Sequence, residues 1–207
     1  MIRLIKGDAK ENGGKFDMVF TDPPFEMSGK DLKEVLDCYQ FEHLLLIASM
    51  HQILELARLT DMDFGFDLVV SHVTPKKSRS YSQPNYLHSN IVYFKQKGIK
   101  SAFDRRLVER QDHYSDDNNH YYPSIFHAPK NNMKYKYQKN QAMIDDLIGA
   151  FSVDAVCDMF AGSGTTGWAC MEHKKDCTLI ESNKEAFEIM KKGFSIFENI
   201  EVIENEK

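Results

Sequence analysis

Short apolar runs alternate along this chain with stretches whose apolar side chains recur every three or four positions, the marks of buried strands and of amphipathic helices. Residues 1–5 make the first run, closed by a Gly7-Asp8 turn, and residues 16–21 the second. Residues 30–40 carry Leu32, Val35, Leu36 and Tyr39 at helical spacing. The run 43–48 follows, with Ser49 placed to cap a helix whose inner face takes Ile53, Leu54, Ala57 and the stem of Arg58. Residues 64–72 and 89–95 are two runs with no helix between them, so they are expected to pair antiparallel. A strand over 122–126 returns the chain to the sheet, and residues 138–150 place Met143, Ile144, Leu147 and Ile148 on one helical face. Residues 153–160 read as a strand leading through a glycine-rich turn into a helix containing Ala169, Cys170 and Met171. After a strand at 177–180, a helix over 183–194 turns Ala186, Phe187, Ile189, Met190 and Phe194 inward, and the charged residues 200–207 are expected to fray. This alternation predicts an α/β fold with a mostly parallel sheet and one reversed strand.

Composition adds bounds to that picture. The 207 residues, 42% of them hydrophobic, suffice for one domain with a substantial core. No apolar stretch is long enough to cross a membrane and the first residues are too charged for a signal peptide, so a soluble, cytoplasmic protein is expected. Cys38, Cys157, Cys170 and Cys177 form no C-x-x-C pair, which predicts free, buried thiols rather than a disulfide framework or a zinc site. His51, His72 and His88 are scattered singly, and no metal site is expected. The net charge of −5 divides unevenly: residues 72–140 hold 13 Lys and Arg against 5 Asp and Glu, a local +8, which leaves −13 on the remainder. An acidic body with a basic segment suits a polyanion gripped on one face. The segment 74–86 is both basic and interleaved with tyrosines, and Lys76, Lys77, Arg79 and Tyr81 are candidates for phosphate contact and base stacking.

Two stretches carry candidate chemistry. The strand 17–21 ends in Asp22-Pro23-Pro24-Phe25. Proline has no N–H and disfavours helix in the residue before it, so Asp22 and Pro23 are expected to be extended, with carbonyls outside the ladder. A carboxylate, such carbonyls and an aromatic face together form a receptor for a flat amino group. The second stretch is Asp158-Met159-Phe160-Ala161-Gly162-Ser163-Gly164-Thr165-Thr166, where glycines allow close approach of a ligand and a helix start offers N–H groups. Glu181, 19 positions after Gly162, ends the next strand where an acidic side chain can accept ribose hydroxyls. With Gly167 the loop also spells G-x-G-x-x-G, so a dinucleotide-dependent oxidoreductase is the rival reading. Asp22-Pro23-Pro24-Phe25, for which a dehydrogenase has no use, separates the two.

Asp22-Pro23-Pro24-Phe25 resembles the catalytic motif of the amino-group DNA methyltransferases, and residues 158–166 resemble that family's donor loop. The catalytic motif coming first marks the resemblance as one to the circularly permuted group. The resemblance implies a Rossmann-like, doubly wound, seven-stranded sheet. It further implies S-adenosylmethionine as cofactor and double-stranded DNA as partner, with the target base flipped out. Residues 1–97 would then be the catalytic half, 98–136 a small irregular target-recognition insert, and 137–207 the donor-binding half. Asp22, Pro23, Pro24 and Phe25 would be catalytic. Asp8, Lys139, Asp158, Phe160, Ala161, Gly162, Ser163, Gly164, Thr165, Thr166, Glu181 and Ser182 would hold the donor. Asp rather than Ser at the head of the motif points to adenine N6, with cytosine N4 as the alternative, in a restriction-modification setting; a homodimer is left open. Only Gln138 and Lys139 match the family's His-Pro-Thr-Gln-Lys-Pro segment, so a silent nucleic-acid or donor-binding homologue stands as the alternative of a different class.

Overall fold

The computed structural model describes residues 1–76, 81–82, 84–108, 122–127 and 139–204. In chain order its elements are β1 (Ile2–Lys6), β2 (Gly14–Lys15), β3 (Met18–Thr21), α1 (Gly29–Leu36), β4 (Tyr39–Gln40), β5 (His43–Ala48), α2 (Met50–Leu59), β6 (Asp63–Lys76) and β7 (Tyr86–Lys95). There follow β8 (Ile125–His127), α3 (Gln141–Gly149), β9 (Ala155–Asp158), α4 (Thr165–Glu172), β10 (Asp176–Glu181), α5 (Lys184–Phe194) and β11 (Ile200–Glu204).

Among the described residues nine strands form one sheet in the order β11-β1-β10-β9-β3-β5-β7-β6-β8, and β2 pairs with β4 apart from it. Every pairing in the large sheet is parallel except those of β7, which runs against both β5 and β6. The reversed strand expected from the 64–72 and 89–95 runs is therefore β7, reached from β6 without a helix. The seven-strand expectation falls two short. β8, which pairs with Val69–Ser71, and β11, which pairs with β1, close the two edges. β11 does not fray in its described part: Arg3 Nε donates to Glu201 at 2.7 Å and Lys191 pairs with Glu204, so its charges are satisfied across the edge.

The alternation of side chains along each strand splits the core into two layers. Met18, Phe20, Leu45 and Ile47 pack on α3, α4 and α5, whereas Val19, Leu44, Leu46 and Ala48 pack on α1 and α2. In α2 the buried positions are Gln52, Ile53 and Leu56, so the expected inner face needs correcting: Leu54, Ala57 and Arg58 face solvent. Cys157, Cys170 and Cys177 are buried free thiols, but Cys38 lies at the surface. No helix of the described residues is long and apolar enough to cross a membrane.

Two features of this topology position a site. From β3 the chain crosses outward to β5, and from β9 it crosses the other way to β10, so the adjacent carboxyl ends of β3 and β9 border a crevice that neither connection covers. The β6–β7 pair also overhangs that edge. Ala48, the last residue of β5, is level with Asn90, which is itself level with Val69. From there β6 continues to Lys76, roughly 20 Å further at about 3.3 Å per residue, on the same side of the sheet as Asp22.

Candidate active site

The crevice is a cavity of about 390 Å³ at the carboxyl ends of β1, β3, β9 and β10. Each strand delivers a side chain immediately past its end. Asp8 follows β1 and caps a 3-10 turn by accepting from Lys10 N at 2.8 Å, while Gly7 N donates to the Glu181 carbonyl. Asp22 and Pro24 follow β3, where the prolines have stopped the strand. Asp158 ends β9 and residues 159–163 follow it, and Glu181 and Ser182 end and follow β10.

The glycine loop is shaped by two residues in the left-handed region, Gly162 (φ 55°) and Gly164 (φ 86°), which have different surroundings. A Cβ on Gly162 would meet nothing within 4 Å, so its bare face opens on the cavity. A Cβ on Gly164 would lie 2.8 Å from Met190 and 2.9 Å from Phe194, so that glycine lets α5 close against the loop. Gly167 does the same against Leu179 and Phe194. Of the three glycines in the G-x-G-x-x-G pattern, one faces the cavity. Gly162 N also donates to Glu181 Oε2 at 2.7 Å, and Asn183 N donates to Oε1 at 2.6 Å. Each carboxylate oxygen of Glu181 therefore retains a further lone pair for a hydroxyl donor.

Asp158 is 4% exposed and sits at the centre of the arrangement. Its carboxylate accepts from Thr21 Oγ1 (3.3 Å), Thr166 Oγ1 (2.5 Å) and Phe160 N (3.1 Å). Burial pushes its pKa up to about 7; the neighbouring Asp22 adds to the rise and the hydrogen bonds oppose it. Thr21 and Asp158 thus tie the end of β3 to the end of β9. A second tie comes from Lys139, just ahead of the Asn140 cap of α3, whose Nζ lies 2.6 Å from Asp22 Oδ2. Lys139 and Asp22 are each about three-tenths exposed, and both line the cavity.

Of the residues singled out in the sequence for holding a donor, Asp8, Lys139, Asp158, Phe160, Ala161, Gly162, Ser163, Thr165, Thr166, Glu181 and Ser182 all line this one cavity, and Gly164 does not. Of the tetrapeptide, Asp22 and Pro24 line it, Pro23 is buried beside it, and Phe25 is 55% exposed outside its wall. Lys77 and Arg79 lie outside the described residues, and so does most of the 135–140 segment; Lys76 is described as backbone in β6, and Tyr81 is fully exposed. Sequence reasoning missed Lys10, Met27, Ile144 and Met159 as wall residues. In the sequence Met159 lies inside the 158–166 stretch without being singled out, Ile144 reads only as apolar fill, and Lys10 carries no signal beyond following Asp8.

The wall matches a nucleoside-bearing, cationic ligand. Among the described residues Asp8, Asp22, Glu181 and the Asp158 carboxyl, which is half-titrated near neutral pH, face it against Lys10 and Lys139, an acidic excess that favours positive charge. Among the described residues the buried Ser163 Oγ has no hydrogen-bond partner within the protein, which leaves this cavity-wall hydroxyl able to bond a polar ligand.

The sequence matches the DNA methylase family of N6/N4 type over residues 32–192, a stretch that begins after Asp22-Pro23-Pro24-Phe25. No curated protein matches it. Among solved structures, M1.HpyAVI in complex with SAM is 21% identical, with 93% of this chain and 100% of that one covered and a TM-score of 0.68. The Thermus thermophilus protein TTHA0409 complexed with S-adenosyl-L-methionine is 17% identical, with both chains covered in full and a TM-score of 0.70. The cytosine-N4-specific PvuII DNA methyltransferase is 14% identical, with 95% of this chain and 86% of that one covered and a TM-score of 0.68.

Proposed function

The chain belongs to the DNA methylase family, and from that premise we propose that it transfers a methyl group from S-adenosylmethionine to the N6 amino group of adenine in a specific DNA sequence. The cofactor is S-adenosylmethionine, which when bound supplies a methyl group activated on a sulfonium. The observation that carries the reading is that Asp22 and Pro24, from one end of the chain, share a single cavity wall with Gly162, Ser163 and Glu181, from the other. In this reading Glu181 and Asp8 hold the nucleoside end of the donor. Asp158, Lys139 and the Thr165-Thr166 helix start hold its amino-acid end.

The chain's own residues then do the following. Phe25, exposed at the edge of the cavity, stacks on a base flipped out of the duplex. Asp22 and the Pro23 carbonyl accept the amino hydrogens, which draws the nitrogen lone pair out of conjugation with the ring and aims it into the cavity. Lys139 sets a positive charge against Asp22 and fixes that carboxylate's direction. Catalysis is by positioning and electrostatics, without a covalent enzyme intermediate. The overhanging β6–β7 pair grips the DNA from the site side, with Lys76, Lys77, Arg79 and Tyr81 as the candidate contacts; Lys77 and Arg79 lie outside the described residues. Residues 98–136 act as the target-recognition insert between a catalytic half (1–97) and a donor-binding half (137–207). β1 lying in parallel between β10 and β11, with Ile2 N donating to Asn199 O at 3.1 Å, supports the permuted order of those halves.

An N4-cytosine acceptor is the second reading, since the same fold carries the cytosine-N4-specific PvuII enzyme; Asp at the head of the tetrapeptide favours adenine. The test is donor titration by calorimetry, methyl incorporation into mixed-sequence DNA, and sequencing of methylated bases in a host expressing the protein. N6-methyladenine at a defined sequence is the expected result. Donor binding with no incorporation at any donor concentration would leave only a silent binding homologue.

A further inference from the structure

Prolines bring no N–H donors, so the loop over residues 22–27 cannot tie down its own carbonyls through them, and the protein must hold those carbonyls from outside. Met27 N takes the Pro24 carbonyl at 3.0 Å. The remaining support comes from α2. Gln52, 2% exposed, donates from Nε2 to Pro24 O (3.0 Å) and to Met27 O (2.9 Å). Its Oε1 accepts from Ser49 N (3.0 Å) and Ser49 Oγ (2.8 Å), which completes a capping box at the start of α2. Both donors and both lone pairs of the amide are thereby used, and reversing the amide would set oxygen against two carbonyls and nitrogen against two donors. One turn on, Glu55 Oε2 accepts from Gly29 N at 2.7 Å, and a Cβ on Gly29 would lie 2.7 Å from the Leu56 amide. The loop's exit is therefore pressed onto the same face of α2.

We infer that Gln52 is a positioning residue for the acceptor loop, locking Pro24 and Met27 to α2 so that Asp22 and Phe25 present a fixed receptor to the target base. The inference rests on the methyl-transfer reading for what the loop receives, but not for the clamp itself. The residue type supports it. A glutamate at 52 would close the capping box equally well, but its carboxylate would face two carbonyl oxygens; the cap alone does not call for glutamine, whereas the loop does. A displacement near 1 Å at a reacting group costs on the order of a hundredfold in rate, so a loosened loop should act on turnover.

Two variants separate clamp from stability. Gln52→Glu keeps the capping box and loses both loop donors, and Gln52→Leu loses the box and the donors together. Turnover is measured with unmethylated bacterial DNA and labelled S-adenosylmethionine, per donor-binding site titrated by calorimetry, beside hydrogen exchange of peptides spanning residues 24–29 and 161–167. Both variants should show at least a tenfold fall in kcat per site, donor Kd within twofold of wild type, and at least tenfold faster exchange in 24–29 with 161–167 unchanged. The two kcat values should match whatever the order of the two melting temperatures. Should wild type itself not methylate, the functional reading fails and the exchange result alone decides the clamp. Unchanged exchange over 24–29 in both variants, or wild-type kcat per site in both, overturns it.

Discussion

Gly162 and Gly164 are two positions apart, both left-handed, and equivalent in the sequence pattern, yet the structure gives them opposite duties that a pair of alanine substitutions can separate. In Gly164→Ala the new Cβ meets Met190 Cγ at 2.8 Å and Phe194 Cε2 at 2.9 Å, and both of those side chains are fully buried and have nowhere to go. Holding alanine at positive φ costs about 1–2 kcal/mol and overpacking a core about 1–3, a total of about 2–5 kcal/mol. At about 2–4 °C per kcal/mol for a chain of this size, the melting temperature should fall by roughly 4–20 °C. Gly162→Ala carries only the backbone cost, about 1–2 kcal/mol, because nothing lies within 4 Å of its Cβ. Its methyl group instead projects into the cavity and should weaken donor binding at least tenfold, about 1.4 kcal/mol. Thermal unfolding and calorimetric titration with S-adenosylmethionine, both well below the lower melting point, read the two effects independently. The reasoning fails if Gly162→Ala keeps wild-type affinity, or if Gly164→Ala loses affinity without losing stability.

Asp22→Ala should abolish methyl incorporation while leaving donor Kd within a few-fold, and substantial residual turnover would remove Asp22 from the proposed acceptor site. Asp158 has a folded pKa raised from 3.8 to about 7, so between those values the native protein holds a proton that the unfolded chain has lost. Its contribution to stability is complete below pH 3.8 and is lost as pH rises through 7. Asp158→Asn should remove that slope, and urea unfolding at pH 5 and pH 8 should show wild type losing up to about 2.7 kcal/mol relative to the variant; parallel profiles would contradict the burial argument. Replacing Lys76, Lys77 and Arg79 together by Ser should lower the slope of log K against log salt for DNA binding by about 0.9 for each phosphate no longer neutralised, and an unchanged slope in a fluorescence titration would take the hairpin out of the interface.

The local code was most legible where one residue's chemistry admits one structure. Two prolines ended β3 where they had to, Ser49 capped α2, and alternation separated two strands without a helix from the βα units around them. It was least legible where a polar residue is satisfied by a distant partner. Gln52 reads as a solvent-facing position in a periodicity argument, and assigning it outward rotates the whole helix, which draws Leu54 and Ala57 inward; the structure buries Gln52 because Ser49, Pro24 and Met27 use all of its hydrogen-bonding capacity. β11 was hidden for a similar reason. Glu201 and Glu204 look like a fraying tail until Arg3 and Lys191 are found opposite them. The glycine loop was visible as a unit, but not the division of labour within it, because the side chains that press on Gly164 come from α5, more than twenty residues later.

Why two stretches 136 positions apart meet at all follows from pairing, not from either motif. Met18 and Val19 lie in parallel register with Val156 and Cys157, so β3 and β9 must end side by side, and whatever follows each strand must share the space beyond them. Since each connection crosses away from the other, that space stays open, and the Thr21–Asp158 hydrogen bond closes its floor. None of this depends on which stretch is made first. A chain cut within residues 98–136 and rejoined between β11 and β1 would keep every pairing of β1, β3, β9 and β10, and with them the cavity wall. A permuted order of the halves is thus neutral for the site.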